Sequence, residues 1–476
     1  MTIDKIDITL TLANAKNILT EDKTISPSSK AVFELLLVVI GLLLNKLGMN
    51  STNSSVPPSQ DLKRKKGSKK KTSGEKRKPG GQDGHGGTNL KQVANPDQIE
   101  TLEIDRRTIP DGQYTPMGFE VRQVIDIKIS KIVTEYRAEI LQDQNGNQFV
   151  ARFPDEITRP AQYGKSVKAQ AVYMSQQQLI PYDRIRDYFS DQCAIPLSPG
   201  SVFNFNKQAF NLLEKFEAIA KTQLVLQPLL HVDETGINVN GKTLWLHSAS
   251  NNLWTMFFPH EKRGGIAMQA MGILEKFRGI LCHDHWKPYF KFNCLHALCN
   301  AHHLRELERA FEQDGQKWAK KMQALLIEMN NETTKANGLL AQTNAQQYVS
   351  KYQNILEEGD VECPPPATKK PDGKRGRTAN TKSRNLLERL RKFQTETLLF
   401  MTNKIVPFTN NQGENDIRMT KVQQKISGCF RSLHGAQIFC RIRGYLSTCR
   451  KHSMQPTEAL QILFSGKLPE FVPKIE

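Results

Sequence analysis

Two aspartates that each follow a short apolar run limit the possible folds of this chain more than any other feature. Residues 229–232 (LLHV) precede Asp233, and residues 280–283 (ILCH) precede Asp284. Runs of this kind predict buried strands, so a carboxylate is expected at the end of each of two strands. Because a lone carboxylate is costly to desolvate, such a residue usually faces a cleft and binds a cation. The pair therefore predicts a magnesium site.

A third acidic residue, Glu414, comes much later in the chain and has two interpretations. In the first, Asn411 is the N-cap of a helix and Glu414, at its N3 position, completes a capping box. In the second, Glu414 shares one helix face with Arg418, Lys421 and Lys425. A carboxylate beside a row of cations suits a phosphate backbone held next to a metal ion, although a solvated face with a Glu–Arg pair gives the same pattern.

The segment between the two aspartates predicts a defined order of elements. After Asp233, two apolar runs flank Asn240 and Gly241, a strong signal for a type I′ hairpin. A third strand is predicted over residues 253–258 and a helix over residues 263–277. The order is therefore a hairpin, a third strand, a helix, and a fourth strand that ends at the second aspartate.

This order, with two acids on strands and a glutamate on a late helix, resembles the ribonuclease H-like fold, whose nucleases, integrases and transposases use a DDE triad of carboxylates. Several sequence words resemble the transposases of the insertion sequence 66 family, from about residue 44 to residue 471. They include HVDETG, WLHSAS, HEKRGG, GILEKFRG, HDHWKPYF, HALCNAHHLRELE, ENDIRM and RIRGYLST. The resemblance implies an α/β fold: a ribonuclease H-like catalytic domain with a mainly helical insertion, preceded by a basic disordered arm and a small β-rich region.

The resemblance also implies a DNA transposase that cleaves and joins strands at the ends of an insertion sequence. Its catalytic and metal-binding residues would be Asp233, Asp284 and Glu414, holding two Mg²⁺ ions or Mn²⁺ in their place. Asp233 would bridge both ions, and each of the other two acids would hold one. The expected partners are double-stranded DNA, both element ends and target, a second copy of the chain, and accessory proteins of the same element.

Two other functions are compatible with the same residues. A ribonuclease H-like nuclease or resolvase would cut DNA without requiring particular terminal repeats. A catalytically inactive, DNA-binding derivative of a transposase is the other alternative. Family members commonly carry Asp, Ala and Arg where this chain has Thr409, Gly413 and Asn415, so a decayed copy is consistent with the sequence.

The charge balance favours a polyanionic partner. The chain has 66 Lys and Arg against 48 Asp and Glu, a net charge of +18, which ribosomal and other RNA-binding proteins share. The predicted phosphate contacts are Lys63, Arg64, Lys65, Lys66, Lys69, Lys70 and Lys71 in a disordered arm, then Lys262, Arg263, Arg418, Lys421 and Lys425. A merely solubilising linker is the alternative for the arm. Residues 369–384 form a second basic segment, either a phosphate-binding segment or a mobile surface loop.

The predicted localisation is a prokaryotic cytoplasm, with the protein associated with the nucleoid. The eight cysteines form no dense, evenly spaced framework, and Asp4, Asp7 and Glu21 precede any apolar core. The uncharged run at residues 35–45 is too short to span a bilayer and contains Gly41. A self-association helix is preferred to a membrane anchor there, and a core helix of the same monomer is the other alternative.

The domain organisation follows from these shifts in composition. Ser198 and Pro199 predict the start of a helix that, with the preceding helix, could form a helix-turn-helix or a structural lead-in. The predicted segments are a helical self-association segment at 1–49, a basic Pro-, Gly- and Ser-rich arm at 50–97, a small β-rich region at 98–160, a helical region with a candidate helix-turn-helix at 161–225, the catalytic domain at 226–428 with a helical insertion at about 304–400, and a C-terminal helical region at 429–476.

Two places in the sequence concern zinc. Family members usually carry a zinc knuckle after the β-rich strands, of which residues 121–129 are the clearest; this chain has no thiolates there, so a metal-free hairpin turning at Asn145 and Gly146 is expected. A cluster of Cys294, His296, Cys299, His302 and His303 includes a Cys-x-x-His pair that could place two ligands on one helical turn. No distant second pair is evident, so ordinary packing of these side chains is preferred and zinc stays open.

Overall fold

The computed structural model describes residues 2–3, 6–22, 24–47, 49–50, 53–54, 90–366 and 379–473. Their contacts divide the chain into two compact units. The first unit is the described part of Met1–Arg64, Phe153–Tyr188 and Pro196–Glu476, and the second is the described part of Lys65–Arg152 and Phe189–Ile195. The basic arm at residues 63–71 and the lysines and arginines at residues 369–377 lie outside the described residues.

The N-terminal segment of the first unit is helical. A short antiparallel pair, β1 (Thr2–Ile3) and β2 (Ile6–Asp7), precedes helices α1 (Ile8–Glu21) and α2 (Pro27–Leu47). Helix α2 is long and apolar enough to cross a membrane, a property that it shares with some core helices and signal sequences. Its large apolar side chains are mostly exposed, with Leu35 and Leu42 each 63% exposed.

The second unit contains a short hairpin rather than the predicted set of strands. Strands β3 (Ile140–Gln142) and β4 (Gln148–Val150) pair antiparallel, and the left-handed Gly146 (φ +83°) lies in the turn between them, as predicted. The predicted strand over residues 121–129 is wrong. Val124 is 94% exposed and Ile127 84% exposed, so no sheet face covers these strand-forming side chains.

A helical region leads to the sheet of the first unit. Ser198 Oγ accepts a hydrogen bond of 3.0 Å from the Ser201 N–H, and Pro199 occupies the first helical turn, which confirms the predicted helix start. The helices are α3 (Lys165–Val172), continued by a π-helical turn at Tyr173–Gln177, then α4 (Tyr182–Cys193), α5 (Pro199–Leu212) and α6 (Glu214–Val225).

A five-stranded mixed sheet forms the centre of the first unit. Its strands are β5 (Leu229–Val239), β6 (Lys242–Ser250), β7 (Thr255–His260), β8 (Ile280–His283) and β9 (Leu295–Leu298), with helix α7 (Gly265–Met271) between β7 and β8. The spatial order is β7-β6-β5-β8-β9, in which β5, β6 and β7 are antiparallel neighbours and β8 and β9 run parallel to β5. Asn240 (φ 49°) and Gly241 (φ 79°) form the predicted hairpin. The chain is therefore an α/β protein.

The insertion after β9 is helical and has its own core. Helix α8 (Asn300–Asp314) ends at the left-handed Gly315 (φ 67°), which separates it from the next helix. Trp318, Tyr352 and Leu387 are fully buried among the insertion helices. The remaining helices are α9 (Lys317–Lys335), α10 (Gln342–Glu362), α11 (Lys382–Lys392) and α12 (Gln394–Thr402).

The last helices pack on the sheet. They are α13 (Asn411–Ser427), α14 (Leu433–Lys451) and α15 (Pro456–Phe464). Helix α14 crosses β7 at Gly444, where an added Cβ would lie 3.1 Å from the Thr255 carbonyl oxygen. The Thr448 hydroxyl accepts a 3.0 Å hydrogen bond from the Thr255 N–H at the same crossing. Glycine at this position thus allows the helix backbone to approach the strand closely.

Candidate active site

Asp233 lies within a strand rather than at its end. The prediction of a strand end is wrong because β5 continues past Asp233 to Val239, pairing with β6 through Asp233↔Ser248. The parallel pairing of β5 with β8 does stop at His231↔Cys282. Asp233 is therefore at the end of the parallel part of the sheet, while the hairpin extends the strand beyond it.

Asp284 is the first residue after β8, as predicted. Continuing the register His231↔Cys282 by two residues places Asp284 opposite Asp233, where neighbouring strands lie about 4.8 Å apart. One carboxylate oxygen of Asp284 accepts a 3.0 Å hydrogen bond from the Trp286 N–H. Asp233 Oδ1 likewise accepts a bond of 2.9 Å, from the Glu234 N–H. Backbone amides thus orient both carboxylates.

Asn410 fixes the start of α13 against β5. Its side-chain oxygen lies 2.7 Å from His231 Nδ1, and its amide nitrogen donates a 2.9 Å hydrogen bond to the Val232 carbonyl. The N-cap is Asn410 and not the predicted Asn411, and its side chain makes no capping hydrogen bond. Glu414 follows Asn410 by one helical turn.

The capping-box interpretation of Glu414 is wrong. Its Oε1 atom is buried and has no hydrogen-bond partner among the described residues. The nearest charged atoms are His302 Nδ1 at 3.9 Å and Arg305 Nη2 at 3.8 Å, both from helix α8. Glu414 Oε1 is thus a buried carboxylate oxygen that still needs a partner.

The three acids lie within electrostatic range of one another. Burial, followed by the charges of Glu234, Asp284 and Glu414, raises the pKa of Asp233 to about 8. A group of carboxylates that is costly to ionise without a counter-charge is suited to a divalent cation, whose binding would relieve the repulsion. The residues present therefore fit hard-cation binding by oxygen ligands.

The Cys and His cluster contributes a second possible ligand group. Cys299 Sγ, His302 and a Glu414 oxygen all lie within 4.8 Å of one another, so the distant ligand that the sequence did not reveal is Glu414. His303 instead lies 3.1 Å from Asn300 Oδ1, and His296 Nδ1 lies 3.1 Å from His283 Nε2. Cys299 Sγ already accepts a 3.1 Å hydrogen bond from the Asn410 N–H.

The insertion supplies two arginines that sequence reasoning missed. Arg305 on α8 lies beside Glu414. Arg389 on α11 pairs with Glu306 of α8, and the charge of Asp284 opposes the lowering of the Arg389 pKa by burial. Arg305 is in the helix that follows β9 and Arg389 is much later in the chain, and no spacing or composition signal connects either arginine with the aspartates. Only the folded insertion brings these cations to the acids.

The predicted phosphate contacts on the described residues differ in their surroundings. Arg418, Lys425 and Lys262 are exposed. Lys421 Nζ donates a 2.5 Å hydrogen bond to the Gly236 carbonyl, and Arg263 Nη2 lies 2.8 Å from Glu234 Oε1. The last two cations are therefore already engaged within the protein.

The histidines flanking the aspartates have structural hydrogen bonds. His231 contacts Asn410, and His283 Nδ1 accepts a 3.2 Å bond from the His285 N–H. Burial lowers the pKa of His285 to about 4 and that of His283 well below its usual range. These rings are therefore neutral near pH 7 and hold the strand ends in place.

Two protein-family models match parts of the chain. Residues 160–438, more than half of the chain, match the model of the transposase IS66 family. Residues 17–91 match a family of unknown function, DUF6444. No curated protein matches the chain. The chain therefore belongs to the IS66 family of transposases and is a nucleic-acid-processing enzyme.

Proposed function

We propose that this chain is a DDE transposase that cleaves and joins DNA strands at the ends of its insertion sequence. The observation that carries the proposal is that Asp284 and Glu414 are near enough to the buried Asp233 for the charge of each to raise its pKa. The strand order β7-β6-β5-β8-β9, with three antiparallel neighbours followed by two strands parallel to β5, supports a ribonuclease H-like catalytic domain.

Two Mg²⁺ ions, or Mn²⁺, would be held by these three acids. The buried Oε1 of Glu414, which has no hydrogen-bond partner among the described residues, and the other acids near Asp233 support this assignment. Asp233, Asp284 and Glu414 would each supply carboxylate oxygens to the ions. Bound metal would lower the pKa of a water or a 3′ hydroxyl for attack on phosphorus and stabilise the leaving oxygen.

The protein's own groups orient the acids and hold the phosphate. The Glu234 and Trp286 N–H groups fix one oxygen of each aspartate, leaving the other for the cation. Arg305 lies 3.8 Å from Glu414, and Arg389, which pairs with Glu306 in the free protein, is within electrostatic range of Asp284, so a DNA phosphate would enter near these two arginines. An arginine fork binds two phosphate oxygens at once, so these residues would bind the scissile phosphate and its neighbour.

The DNA would follow the exposed cations of α13. Arg418 and Lys425 are exposed on the helix that carries Glu414, and Lys262 is exposed in the loop after β7. The basic arm would add sequence-independent affinity, because its lysines neutralise phosphates wherever the duplex lies. Affinity for duplex DNA should accordingly fall steeply with salt.

The apolar helix α2 would pair with the same helix of a second copy. Its large side chains are exposed in a single chain, and pairing would bury them. A transposase that joins two element ends needs two active sites, which a dimer provides. The predicted self-association segment at residues 1–49 would thus act through helix α2.

Cleavage of element-end DNA tests the proposal. Wild-type protein should cut this DNA only with Mg²⁺ or Mn²⁺, and Asp233→Ala, Asp284→Ala and Glu414→Ala should each abolish cutting while still binding DNA. Glu358→Ala, which removes an exposed carboxylate paired with Lys321, is the matched control and should cut normally.

The alternatives give different results. Equal cutting of random duplex would indicate a nuclease or resolvase. Tight binding without cutting by the wild type would indicate an inactive derivative. Metal-dependent cutting that survives in Asp233→Ala would contradict the proposed site.

A further inference from the structure

Glu234 is a buried carboxylate that the proposed chemistry does not use. It follows Asp233 on β5, and because side chains alternate along a strand, it points to the opposite face. Its side chain is only 2% exposed. The Tyr289 hydroxyl donates a 2.6 Å hydrogen bond to Oε2, while Arg263 Nη2 and Nε lie 2.8 and 3.2 Å from Oε1. Both carboxylate oxygens are thus engaged.

Arg263 is held between two tryptophan rings. Its guanidinium carbon lies 4.6 Å from the centre of the Trp245 ring and 4.3 Å from that of Trp286. Trp245 belongs to β6, and Trp286 lies two residues after Asp284. Cation–π contact with both rings, together with the pair to Glu234, defines the position of the guanidinium.

These contacts fix the turn that carries Asp284. The turn is attached at three places: the Asp284 carboxylate to the Trp286 N–H, the Trp286 ring to Arg263, and the Tyr289 hydroxyl to Glu234. Two of the three attachments pass through Glu234 or its partner arginine. Glu234 is joined by one peptide bond to Asp233, so the network connects the two aspartates through a rigid route.

We propose that Glu234, with Arg263 and Tyr289, is a positioning unit that sets the spacing of Asp233 and Asp284 and thereby the affinity of the site for divalent cations. The inference rests on the proposed function, because it assumes that the two aspartates bind metal. Ligands of metal sites depend on outer hydrogen-bond partners of this kind. None of the three positioning residues needs to touch DNA or metal.

The electrostatic cost of Glu234 supports a positioning role. The charge of Glu234 raises the pKa of Asp233. Burial is the largest cause that raises the pKa of Glu234 itself, and the charge of Asp284 is the next. A residue needed only to fill space would avoid a second buried charge beside two aspartates. A carboxylate at this position accepts two charge-assisted hydrogen bonds at Oε1 from the stacked arginine, which a neutral residue would bind less strongly.

A phosphate contact is the competing role for Arg263, and it predicts different behaviour. Lysine keeps the positive charge but loses the planar fork and the stacking. Arg263→Lys should therefore preserve DNA binding whether Arg263 contacts phosphate or positions the turn. It should weaken metal binding only if Arg263 positions the turn. The salt dependence of DNA affinity separates the roles further, because removing a phosphate contact with Arg263→Gln would reduce its slope.

Mn²⁺ binding, followed by electron paramagnetic resonance without DNA, tests the inference independently of activity. Glu234→Gln, Tyr289→Phe and Arg263→Lys should each raise the dissociation constant for Mn²⁺ about 10–100-fold. The Mg²⁺ concentration for half-maximal cleavage should rise by a similar factor. Glu358→Gln is the matched control, because it replaces an exposed carboxylate that pairs with Lys321. It should leave the Mn²⁺ dissociation constant and the Mg²⁺ requirement unchanged.

A double variant distinguishes positioning from general loss of stability. Because Glu234 and Tyr289 act through one contact, Glu234→Gln with Tyr289→Phe should weaken Mn²⁺ binding no more than the stronger single variant. Tyr289→Phe removes only a hydroxyl, so it carries the test if Glu234→Gln does not fold. Folded variants with wild-type Mn²⁺ affinity, or a reduced salt slope in Arg263→Gln, would overturn the inference.

The proposed metal site and the proposed positioning unit can be disproved independently of each other. If wild-type protein binds no Mn²⁺, or Asp233→Ala binds it as well as the wild type, the proposed metal site is wrong. If Asp233→Ala loses Mn²⁺ while the three positioning variants retain it, only the positioning unit is wrong.

Discussion

At the scale of single residues, the raised pKa of Asp233 has a consequence for stability. Without metal, its folded pKa of about 8 lies above the ordinary value of 3.8, so the folded state binds a proton that the unfolded state has released between these values. The free energy of unfolding should therefore fall as pH rises from about 4 to 8. Ionised Asp233 is destabilising because it is buried beside other acids.

The substitution Asp233→Asn should remove this part of the pH dependence. The variant should be at least as stable as the wild type at pH 8 in the absence of divalent ions, although it cannot bind metal normally. Urea unfolding at several pH values measures the difference, with the exposed Asp111→Asn as control. A wild-type protein that gains stability between pH 4 and 8 relative to Asp233→Asn would contradict the assignment.

Single residues also show where sequence reasoning ended. Asp233 and Asp284 could be predicted because apolar runs mark their strands, whereas the segment around Glu414, taken alone, favours a helix cap. Asn410, Arg305 and the other insertion residues at the site could not be found, since their contacts join parts of the chain far apart in sequence. Glu234 was visible beside Asp233, but its role depends on rings from two other elements.

At the scale of elements, the sheet could be predicted and much of the rest could not. The hairpin at Asn240 follows from turn chemistry, because Asn240 and Gly241 both adopt positive φ. The strand predicted over residues 121–129 failed because strand propensity needs a covering partner that these residues lack. Helix ends in the insertion depend on Gly315 and on packing, which periodicity alone does not fix.

The crossing of α14 on β7 gives a prediction at this scale. Gly444→Val should destabilise the protein by about 1–3 kcal/mol, because the new side chain would meet the Thr255 carbonyl and the strand backbone. Gly265→Val, at a helical glycine with nothing within 4 Å of an added Cβ, is the control. Thermal unfolding compares them; equal midpoints for the two variants would show that the crossing is not tightly packed.

At the scale of the whole molecule, most of the large apolar side chains of helix α2 are exposed in the single chain. Its exposed leucines and valines predict that full-length protein is an oligomer and that a variant lacking residues 1–49 is smaller in subunit number. Light scattering coupled to size exclusion measures both masses. Unchanged subunit number after the deletion would contradict self-association through α2. Flotation of the full-length protein with liposomes would instead indicate that the helix enters a membrane.

The central claim is that three acids far apart in sequence hold divalent cations in one cleft. Anomalous diffraction from Mn²⁺, in crystals of the protein bound to element-end DNA, tests it most directly. Mn²⁺ should lie about 2.1 Å from oxygens of Asp233, Asp284 and Glu414. Mn²⁺ bound only by Cys299 and His302, or Glu414 directed away from both aspartates in that complex, would contradict it.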